Sequence, residues 1–208
     1  MQNNLEIEIK LTIKESSLVL LDEHSIIKSY ARTPPEVVHI MSVYYDTNEH
    51  FLLKNGFVLR TRFDGSIYRQ TFKSADKSNR GLHKRMEWEQ VIPSFKPDYS
   101  IIPDENLLKV CNDQNIFTKI IPIFKTNITR KTWYLQIDDT QIELALDQGR
   151  VLCDSAYETI CEIELELVAG DEKKLHEIAA LLQKDLPVHL ENQSKAERGY
   201  RLHQKYLN

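Results

Sequence analysis

The chain has 208 residues, of which 41% are hydrophobic and 28% are charged, and its formal net charge is −4. A chain of this size can bury one substantial core, so we predict a single domain spanning residues 1–208. The acidic balance excludes a nucleic-acid-binding protein that relies on bulk positive charge, but it leaves open a local basic pocket for an anion.

Several other classes of protein lack support in this sequence. The N-terminus has neither the basic nor the apolar region of a secretory signal, and no apolar run approaches the roughly 18 residues that span a bilayer. The three cysteines form no CxxC pair, which favours reduced thiols in a cytoplasmic protein. The histidines show neither the HxH nor the HExxH spacing of zinc sites, and the glycines form neither the GxGxxG nor the GxxxxGK loop of nucleotide-binding proteins. We therefore expect no nucleic-acid or membrane partner, and any phosphate chemistry must use side chains.

The first predicted element is a strand at residues 5–11 with two unlike faces. Charged and apolar residues alternate there, so Glu6, Glu8 and Lys10 share one face while leucines and isoleucines occupy the other. Taken alone, this row of charge is typical of a solvated sheet face. It becomes informative only if later strands carry matching rows.

Periodicity, turn residues and caps predict the remaining elements. The Asp64-Gly65 pair is typical of a hairpin turn, the spacing from Ser194 to Glu197 is that of a capping box, and Gly149 is expected to end a strand. In chain order, the pattern predicts a helix at 15–23, a strand at 37–45, a short helix at 49–55, strands at 57–63, 67–73 and 85–91, a helix at 104–112, strands at 116–123, 127–137, 141–147 and 160–168, and helices at 171–186 and 194–206.

Several strands carry charges in blocks of one sign. Arg60 and Arg62 form one block, and Glu162, Glu164 and Glu166 form another. A solvated face more commonly mixes signs, and arginine on strands is the choice expected for bidentate contacts with oxyanions. Amphipathic helices would cover the apolar face of the sheet, and about eight twisted antiparallel strands tend to curl or close. Closure would direct the charged rows into one interior.

Such an interior requires bound ions. Two carboxylates about 5 Å apart repel each other by roughly 3 kcal/mol at an effective dielectric constant of 20, so several of them need cations or protons. Hard divalent cations such as Mg²⁺ or Mn²⁺ suit oxygen ligands, and the arginine and lysine rows require an anion. An interior with the two kinds of charge on opposite walls would suit a metal-complexed polyphosphate.

Eight charged motifs together resemble the CYTH superfamily, the triphosphate tunnel metalloenzymes. The matching segments, in order, are Glu6-x-Glu8-x-Lys10, Tyr44-Tyr45-Asp46-Thr47, Leu59-Arg60-Thr61-Arg62, Thr71-Phe72-Lys73, Arg85-x-Glu87-x-Glu89, Glu143-Leu144-Ala145-Leu146-Asp147, Glu162-Ile163-Glu164-Leu165-Glu166 and Lys195-Ala196-Glu197-Arg198-Gly199-Tyr200. The segment Glu143-Leu144-Ala145-Leu146-Asp147 and the segment from Ser194 to Tyr200 look most like the bacterial inorganic triphosphatase branch. In that branch a C-terminal CHAD helical domain is common. We expect no CHAD domain in residues 1–208.

The resemblance implies an α+β fold, a closed eight-stranded antiparallel β-barrel with a polar, charged interior and helices packed outside. It implies hydrolysis of a terminal phosphoanhydride by a metal-activated water, with Mg²⁺ or Mn²⁺ as cofactor and two ions per site. Metal binding is implied for Glu6, Glu8, Glu89, Asp147, Glu162 and Glu164. Catalytic roles are implied for Lys10, Glu87, Glu89 and Asp147. Contacts with substrate are implied for Lys10, Arg60, Arg62, Lys73, Arg85, Arg130 and Lys195.

The leading functional hypothesis is hydrolysis of inorganic triphosphate, a small anionic substrate, to pyrophosphate and phosphate. The alternatives are a nucleoside or thiamine triphosphatase, a class IV adenylyl cyclase and a non-catalytic polyphosphate- or nucleotide-binding module. Val58 stands where the thiamine-specific animal enzymes carry an aromatic residue, which lowers the thiamine alternative. A monomer and a homodimer are both open.

Some residues have a second interpretation. Glu143 and Glu166 could lie at the rim instead of on a metal, and Arg130 could be a surface residue. We expect Arg69 and Arg198 to form structural ion pairs. We expect Tyr44, Tyr45, Trp88 and Trp133 to be packed in the core.

Overall fold

A computed structural model describes residues 5–74, 80–102 and 104–207. Its strands are β1 (Leu5–Ile13), β2 (Glu36–Asp46), β3 (Phe57–Phe63), β4 (Tyr68–Ser74), β5 (Leu82–Ile92), β6 (Ile121–Ile137), β7 (Thr140–Cys153), β8 (Ala156–Ala169) and β9 (Val188–Leu190). Its helices are α1 (Leu18–Asp22), α2 (Ser25–Tyr30), α3 (Phe51–Lys54), α4 (Glu105–Asp113), α5 (Glu172–Asp185) and α6 (Lys195–Leu207).

The strands form a closed antiparallel barrel. Neighbouring strands follow the order β5-β4-β3-β2-β6-β7-β8-β1, and β1 also pairs with β5, which closes the ring of eight. β5 pairs with β1 up to Ile9, and the short strand β9 takes the same edge of β1 from Leu11 to Ile13. Closure leaves no long unpaired edge on β1. The predicted α+β barrel is therefore confirmed, with β9 as an addition.

The alternation of β1 places its two faces in different environments. Glu8 and Lys10 line the interior, whereas Ile9 and Leu11 belong to the largest outer core, which α5 covers with Leu175 and other apolar residues. Burial of each such side chain stabilises the fold by about 1.5–3 kcal/mol. A one-residue slip of this strand would put the charged side chains of Glu8 and Lys10 into the apolar core. The hydrophobic pattern therefore fixes which charges enter the barrel.

Two smaller outer cores cover the rest of the barrel. Under α4, Leu107 and Cys111 pack against Leu59 and Phe72, with Trp88 beside them. Under α6, the core contains Tyr44, Ile123, Phe124, Ile128, Val151, Cys153, Ile160, Tyr200 and Leu202. Trp133 lies in the largest core, so the packing roles expected for both tryptophans are confirmed.

The strand predictions need two corrections around β6 and β7. The two strands predicted at 116–123 and 127–137 are one strand, β6, because its polar middle pairs with β2 on one edge and β7 on the other. Residues 116–118 form a 3-10 turn instead, since Ile116 packs under α4. Gly149 does not end β7. A Cβ there would lie 2.0 Å from the Asn127 carbonyl oxygen, so glycine permits the close approach of β6.

The helical predictions hold except near the N-terminus. The region predicted as one helix at 15–23 is a 3-10 turn followed by the five-residue α1, and α2 was not predicted. Ser17 at the start of α1 makes no side-chain capping bond, so the predicted serine cap is absent there. Among the described residues, no helix is both long and apolar enough to cross a membrane.

A buried polar network fastens α6 to α3. Asp46 accepts hydrogen bonds from the backbone N–H of Leu52 (2.8 Å) and of Leu53 (3.0 Å), and from the Tyr200 hydroxyl (2.9 Å). Beside it, Nε2 of His50 lies 2.7 Å from Nδ1 of His203. Because the network is buried and links helices far apart in sequence, it fixes the position of α6 on the barrel.

We expect the protein to lose stability as the pH falls below about 6.5, the ordinary pKa of histidine. Burial and the adjacent His203 lower the pKa of His50, and Asp46 only partly opposes this. The unfolded chain therefore binds a proton at His50 at a higher pH than the folded chain does. The free energy of unfolding is thus highest above about pH 6.5 and declines below it. Urea unfolding at about pH 7.5 and about pH 5.5 measures the effect. A His50→Asn variant should show a flatter dependence, and an equal slope in both proteins would contradict this origin.

Candidate active site

The barrel encloses a cavity of about 650 Å³, a volume within the range of small-molecule sites. Every residue predicted for the site lines it except Glu162, which is buried just beyond the wall. The charged lining residues are Glu6, Glu8, Lys10, Arg60, Arg62, Lys73, Arg85, Glu87, Glu89, Arg130, Glu143, Asp147, Glu164, Glu166, Lys195 and Glu197. The same-sign rows predicted from the strands therefore do meet in one interior.

Lys10 lies at the centre of the acidic part of the cavity. Its side chain is 2% exposed, and its ammonium donates to Glu164 and, at 3.3 Å, to Oε1 of Glu162. Glu8 lies 3.7 Å away. Burial alone would lower the pKa of Lys10, but Glu162, Glu164 and Glu8 raise it well above the ordinary value. Lys10 is thus a fixed buried cation in the absence of bound ions.

Lys195 enters the same group from the opposite side, on the first turn of α6. Its ammonium lies 2.6 Å from Oδ2 of Asp147, 2.6 Å from Oε1 of Glu162 and 2.9 Å from Oε1 of Glu164. Although burial opposes its charge, these three carboxylates raise the pKa of Lys195. A residue on a helix, outside the eight strands of the barrel, therefore completes the cluster.

Local sequence explains how α6 presents Lys195. Ser194 and Glu197 form the predicted capping box, with Ser194 N–H donating to Glu197 at 2.7 Å and Glu197 N–H donating to Ser194 Oγ at 3.1 Å. Arg198 donates to Glu158 on β8 at 3.1 Å, which confirms its structural ion pair. At Gly199 a Cβ would lie 2.1 Å from the Phe124 ring. Only glycine lets the helix rest this close to the barrel.

Arg130 is an interior residue, so its surface alternative is wrong. Its guanidinium forms a bidentate pair with Asp147, with both N–H···O distances at 2.7 Å, and also donates to Glu164. Asp147 and Glu164 raise the pKa of Arg130 despite its burial. Lys195 and Arg130 in turn hold the pKa of Asp147 below its usual range, although burial opposes this.

A second ionic group lies where β1 meets β5. Glu6 accepts from Lys73 at 3.0 Å and from Arg85, whose Nη2 also donates to Glu8 at 3.1 Å. Lys73 further contacts Glu87. Burial raises the pKa of Glu6, but Lys73 and Arg85 more than offset it and leave the pKa far below the ordinary value. These charges neutralise one another across β1, β4 and β5.

Cations and carboxylates therefore alternate in direct contact, and the expected separation onto opposite walls is wrong in this structure. The physical reason is that a buried charge without bound ions or water must be paired within the protein. A bound anion and cation would have to exchange with these internal pairs.

Arg62 is the exception among the cations of the cavity. Among the residues that the structure describes, no carboxylate lies within ion-pair distance of it, and its buried Nε has no hydrogen-bond partner. Burial, Arg60 and Arg130 lower the pKa of Arg62 to about 10. Arg60 is only slightly better paired, with Thr71 Oγ1 at 3.1 Å and Glu87 at 3.9 Å. These two guanidiniums on β3 therefore have the weakest internal pairing among the cations predicted to contact substrate.

Glu166 is the corresponding exception among the acids. Burial, followed by Glu6, Glu143 and Glu8, raises the pKa of Glu166 to about 8. Glu143 lies 3.7 Å from Arg130, and burial also raises its pKa. Both acids line the cavity, and both lie outside the group of Asp147, Glu162 and Glu164.

Three of the six predicted metal ligands lie together. One oxygen from each of Asp147, Glu162 and Glu164 lies within 4.8 Å of the others. Oε2 of Glu162 is buried without a hydrogen-bond partner and lies 3.6 Å from Nη2 of Arg198. Closely grouped carboxylate oxygens suit a hard divalent cation, so the residues fit Mg²⁺ or Mn²⁺. Glu6, Glu8 and Glu89 lie outside this group.

The remaining residues of the cavity comprise some whose roles the sequence indicated and some that it did not indicate. Glu89 lies 3.5 Å from Arg69 and accepts from Thr71, and the ion pair of Arg69 is confirmed as structural. Tyr44 is buried, stacks on Phe124 at 4.3 Å and also reaches the cavity. The lining residues that sequence reasoning missed are the charged Glu197 and the uncharged Leu5, Ile40, Ser42, Leu53, Ser74, Thr126, Ile128, Ser194 and Ala196. The uncharged residues on strands could have been indicated only by which side of each strand faces inward.

Comparison with known proteins finds similarity along almost the whole chain. A model of the CYTH domain matches residues 4–200. The inorganic triphosphatase of Haemophilus influenzae is 29% identical over an alignment 205 residues long, which covers 96% of this chain. The chain spans 55% of the length of that protein.

Solved structures share the fold at lower identity. A protein from Hippeastrum, named as a candidate adenylyl cyclase with a dominant triphosphatase activity, superposes with a TM-score of 0.68 at 18% identity and covers 97% of this chain and 96% of its own. A candidate adenylate cyclase from Bacillus halodurans gives a TM-score of 0.56 at 16% identity, with 94% and 98% covered. Identities this low establish the fold alone. The family model spans nearly the whole chain and the barrel with its charged interior agrees with it, so this chain belongs to the CYTH domain family.

Proposed function

We propose that this chain hydrolyses inorganic triphosphate to pyrophosphate and phosphate with Mg²⁺ or Mn²⁺ as cofactor. The observation that carries the proposal is the cavity in which Lys10, Lys195 and Arg130 directly contact a group of three carboxylates. Such a site offers cations to a polyphosphate and oxygen ligands to a divalent cation. The identity to the Haemophilus influenzae inorganic triphosphatase supports this substrate.

Binding of the phosphate chain falls to the seven interior cations. Arg60 and Arg62 attract it first because they have the weakest internal pairing. Lys10, Lys73, Arg85, Arg130 and Lys195 would exchange carboxylate partners for phosphate oxygens. Held in place by the barrel, these groups stabilise the charge that builds on the pyrophosphate leaving group, where fixed donors contribute most to the rate.

Metal binding is assigned to the predicted carboxylates, with Asp147, Glu162 and Glu164 as the best-grouped set. We retain Glu6, Glu8 and Glu89 as ligands of the complete complex with two ions. Glu6 and Glu8 are released when Lys73 and Arg85 turn to phosphate, whereas Glu89 lines the cavity beside its structural partner Arg69. A divalent cation bound there polarises phosphoryl oxygens and favours ionisation of its water. Glu87, Glu89 and Asp147 orient the attacking water and can accept its proton.

Phosphate release from inorganic triphosphate tests the proposal. Purified protein should release one phosphate per triphosphate with Mg²⁺ or Mn²⁺, and EDTA should abolish the release. ATP and thiamine triphosphate in parallel assays test the nucleoside and thiamine alternatives, and cyclic AMP formation from ATP tests the cyclase.

A Glu8→Gln variant, isosteric but uncharged, serves as the site control and should lose more than about 10²-fold in rate. Tight triphosphate binding without release would support the non-catalytic binding module and overturn the enzyme. Faster release from ATP than from triphosphate would move the assignment to a nucleoside triphosphatase.

The setting of the reaction is part of the proposal. The three cysteines are free thiols, in keeping with a cytoplasmic location. We treat residues 1–208 as one CYTH domain, whose barrel and closing helix α6 together form the site, acting as a monomer or homodimer on a small anion without a nucleic-acid or membrane partner.

A further inference from the structure

The position of Lys195 has a consequence for metal binding. Its ammonium is within 2.6–2.9 Å of oxygens from Asp147, Glu162 and Glu164, the same three residues that form the best-grouped metal ligands. A divalent cation bound to these oxygens would lie next to the ammonium, and like charges at that separation repel strongly in a buried site. The lysine and the metal therefore compete for the same oxygens.

Charge balance strengthens this competition. The three carboxylates already have three cations in hydrogen-bond contact, because Lys10 and Arg130 contact the group as well as Lys195, and Arg198 lies 3.6 Å from Glu162 as a fourth. Without ligands the group is therefore already neutralised by protein cations and nearly dry, with Asp147 and Glu162 both 1% exposed. A free divalent cation would add two uncompensated charges to it. The substrate-free protein should therefore bind metal weakly.

Lys195 can leave the group more easily than the other two cations. It lies on the first turn of α6 with its side chain 12% exposed, whereas the side chain of Lys10 is 2% exposed and Arg130 is held by two parallel hydrogen bonds. A phosphate chain in the cavity offers oxygens to the flexible ammonium. When Lys195 moves to phosphate, Oδ2 of Asp147, Oε1 of Glu162 and Oε1 of Glu164 each lose one cation, and a metal can take its place.

We propose that the Lys195 ammonium is the resident counter-cation of the Asp147, Glu162 and Glu164 group, so that a divalent cation binds there tightly only after an anionic substrate takes over Lys195. This inference rests on the proposed function and describes its order of binding. Substrate and metal then strengthen each other's binding by the same factor, because the coupling free energy is reciprocal.

Replacing Lys195 should have opposite effects on the two ligands. Lys195→Met should bind free Mn²⁺ at least about 10-fold more tightly than the wild-type protein without substrate, a typical size for such coupling, while its KM for triphosphate rises. Titration of Mn²⁺ into substrate-free protein, followed by the electron paramagnetic resonance signal of the free ion, measures the affinity. Lys28→Met is the matched control, since Lys28 is an exposed residue that pairs with Glu23.

Two further variants secure the interpretation. Lys195→Met combined with Glu162→Gln should lose the added Mn²⁺ affinity, which locates the ion. Lys195→Arg keeps the resident charge and should bind free Mn²⁺ as weakly as the wild type, and it provides a folded comparison if the methionine variant requires Mn²⁺ to fold. A thermal shift on Mn²⁺ addition should then be larger for Lys195→Met than for Lys195→Arg.

The outcomes separate this inference from the proposed function. If wild-type protein hydrolyses triphosphate but Lys195→Met binds Mn²⁺ no more tightly, the inference is wrong and the function stands. If wild-type protein releases no phosphate but Lys195→Met still gains Mn²⁺ affinity, the resident-cation inference stands and the function is wrong.

Discussion

Lys10→Met should lower kcat/KM for inorganic triphosphate by more than about 10²-fold and lower the free energy of unfolding by about 3–5 kcal/mol. Methionine nearly fills the volume of the lysine stem, so the change removes mainly the charge. It leaves Glu162 and Glu164 buried with one cation fewer, and it takes one preorganised contact from the substrate. Phosphate release and urea unfolding measure the two effects.

Lys14→Met is the control for this variant. Lys14 directly follows β1 and is exposed, so the same charge change there should leave rate and stability near the wild-type values. A Lys10→Met protein with wild-type activity would show that the charged face of β1 does not act on the substrate. Lost activity with unchanged stability would show that the buried ion pairs of Lys10 contribute little to folding.

Arg62→Gln should also lower kcat/KM by about 10²-fold, but it should leave the stability unchanged or raise it by about 1 kcal/mol. Removing this guanidinium breaks no ion pair among the described residues and relieves its repulsion by Arg60 and Arg130, which together with burial lowers the pKa of Arg62 to about 10. The same two assays separate this residue from Lys10, whose loss affects both quantities.

Arg150→Gln provides the comparison for Arg62. Arg150 is exposed on β7, where its guanidinium lies 4.5 Å from the Tyr157 ring, so its loss should change the rate little. A marked loss of stability in Arg62→Gln would mean that the residue has a structural partner in the folded protein. Unchanged kinetics would remove it from the substrate site.

The sequence indicated the barrel because its local signals agree with its tertiary structure. In β1 the alternation places Ile9 in the outer core and Lys10 in the cavity. Because the apolar residues must face the outer core, only one of the two possible orientations of the strand's faces is stable. The errors fall where tertiary contacts override local preference. Gly149 lies within β7, where the backbone of β6 comes too close to leave room for a Cβ atom. The polar middle of β6 forms a strand because β2 and β7 pair with it on its two edges.

The sequence by itself determined which charges enter the interior and, through its ordered motifs, the family to which they belong. Only the tertiary structure decided how those charges pair, because contacts such as Lys195 with Glu162 depend on the docking of α6 through Gly199 and Tyr200. Strand periodicity cannot report a contact between residues that meet across a closed barrel. The packing of one helix therefore decides that a lysine occupies the place where the charge rows predicted a metal.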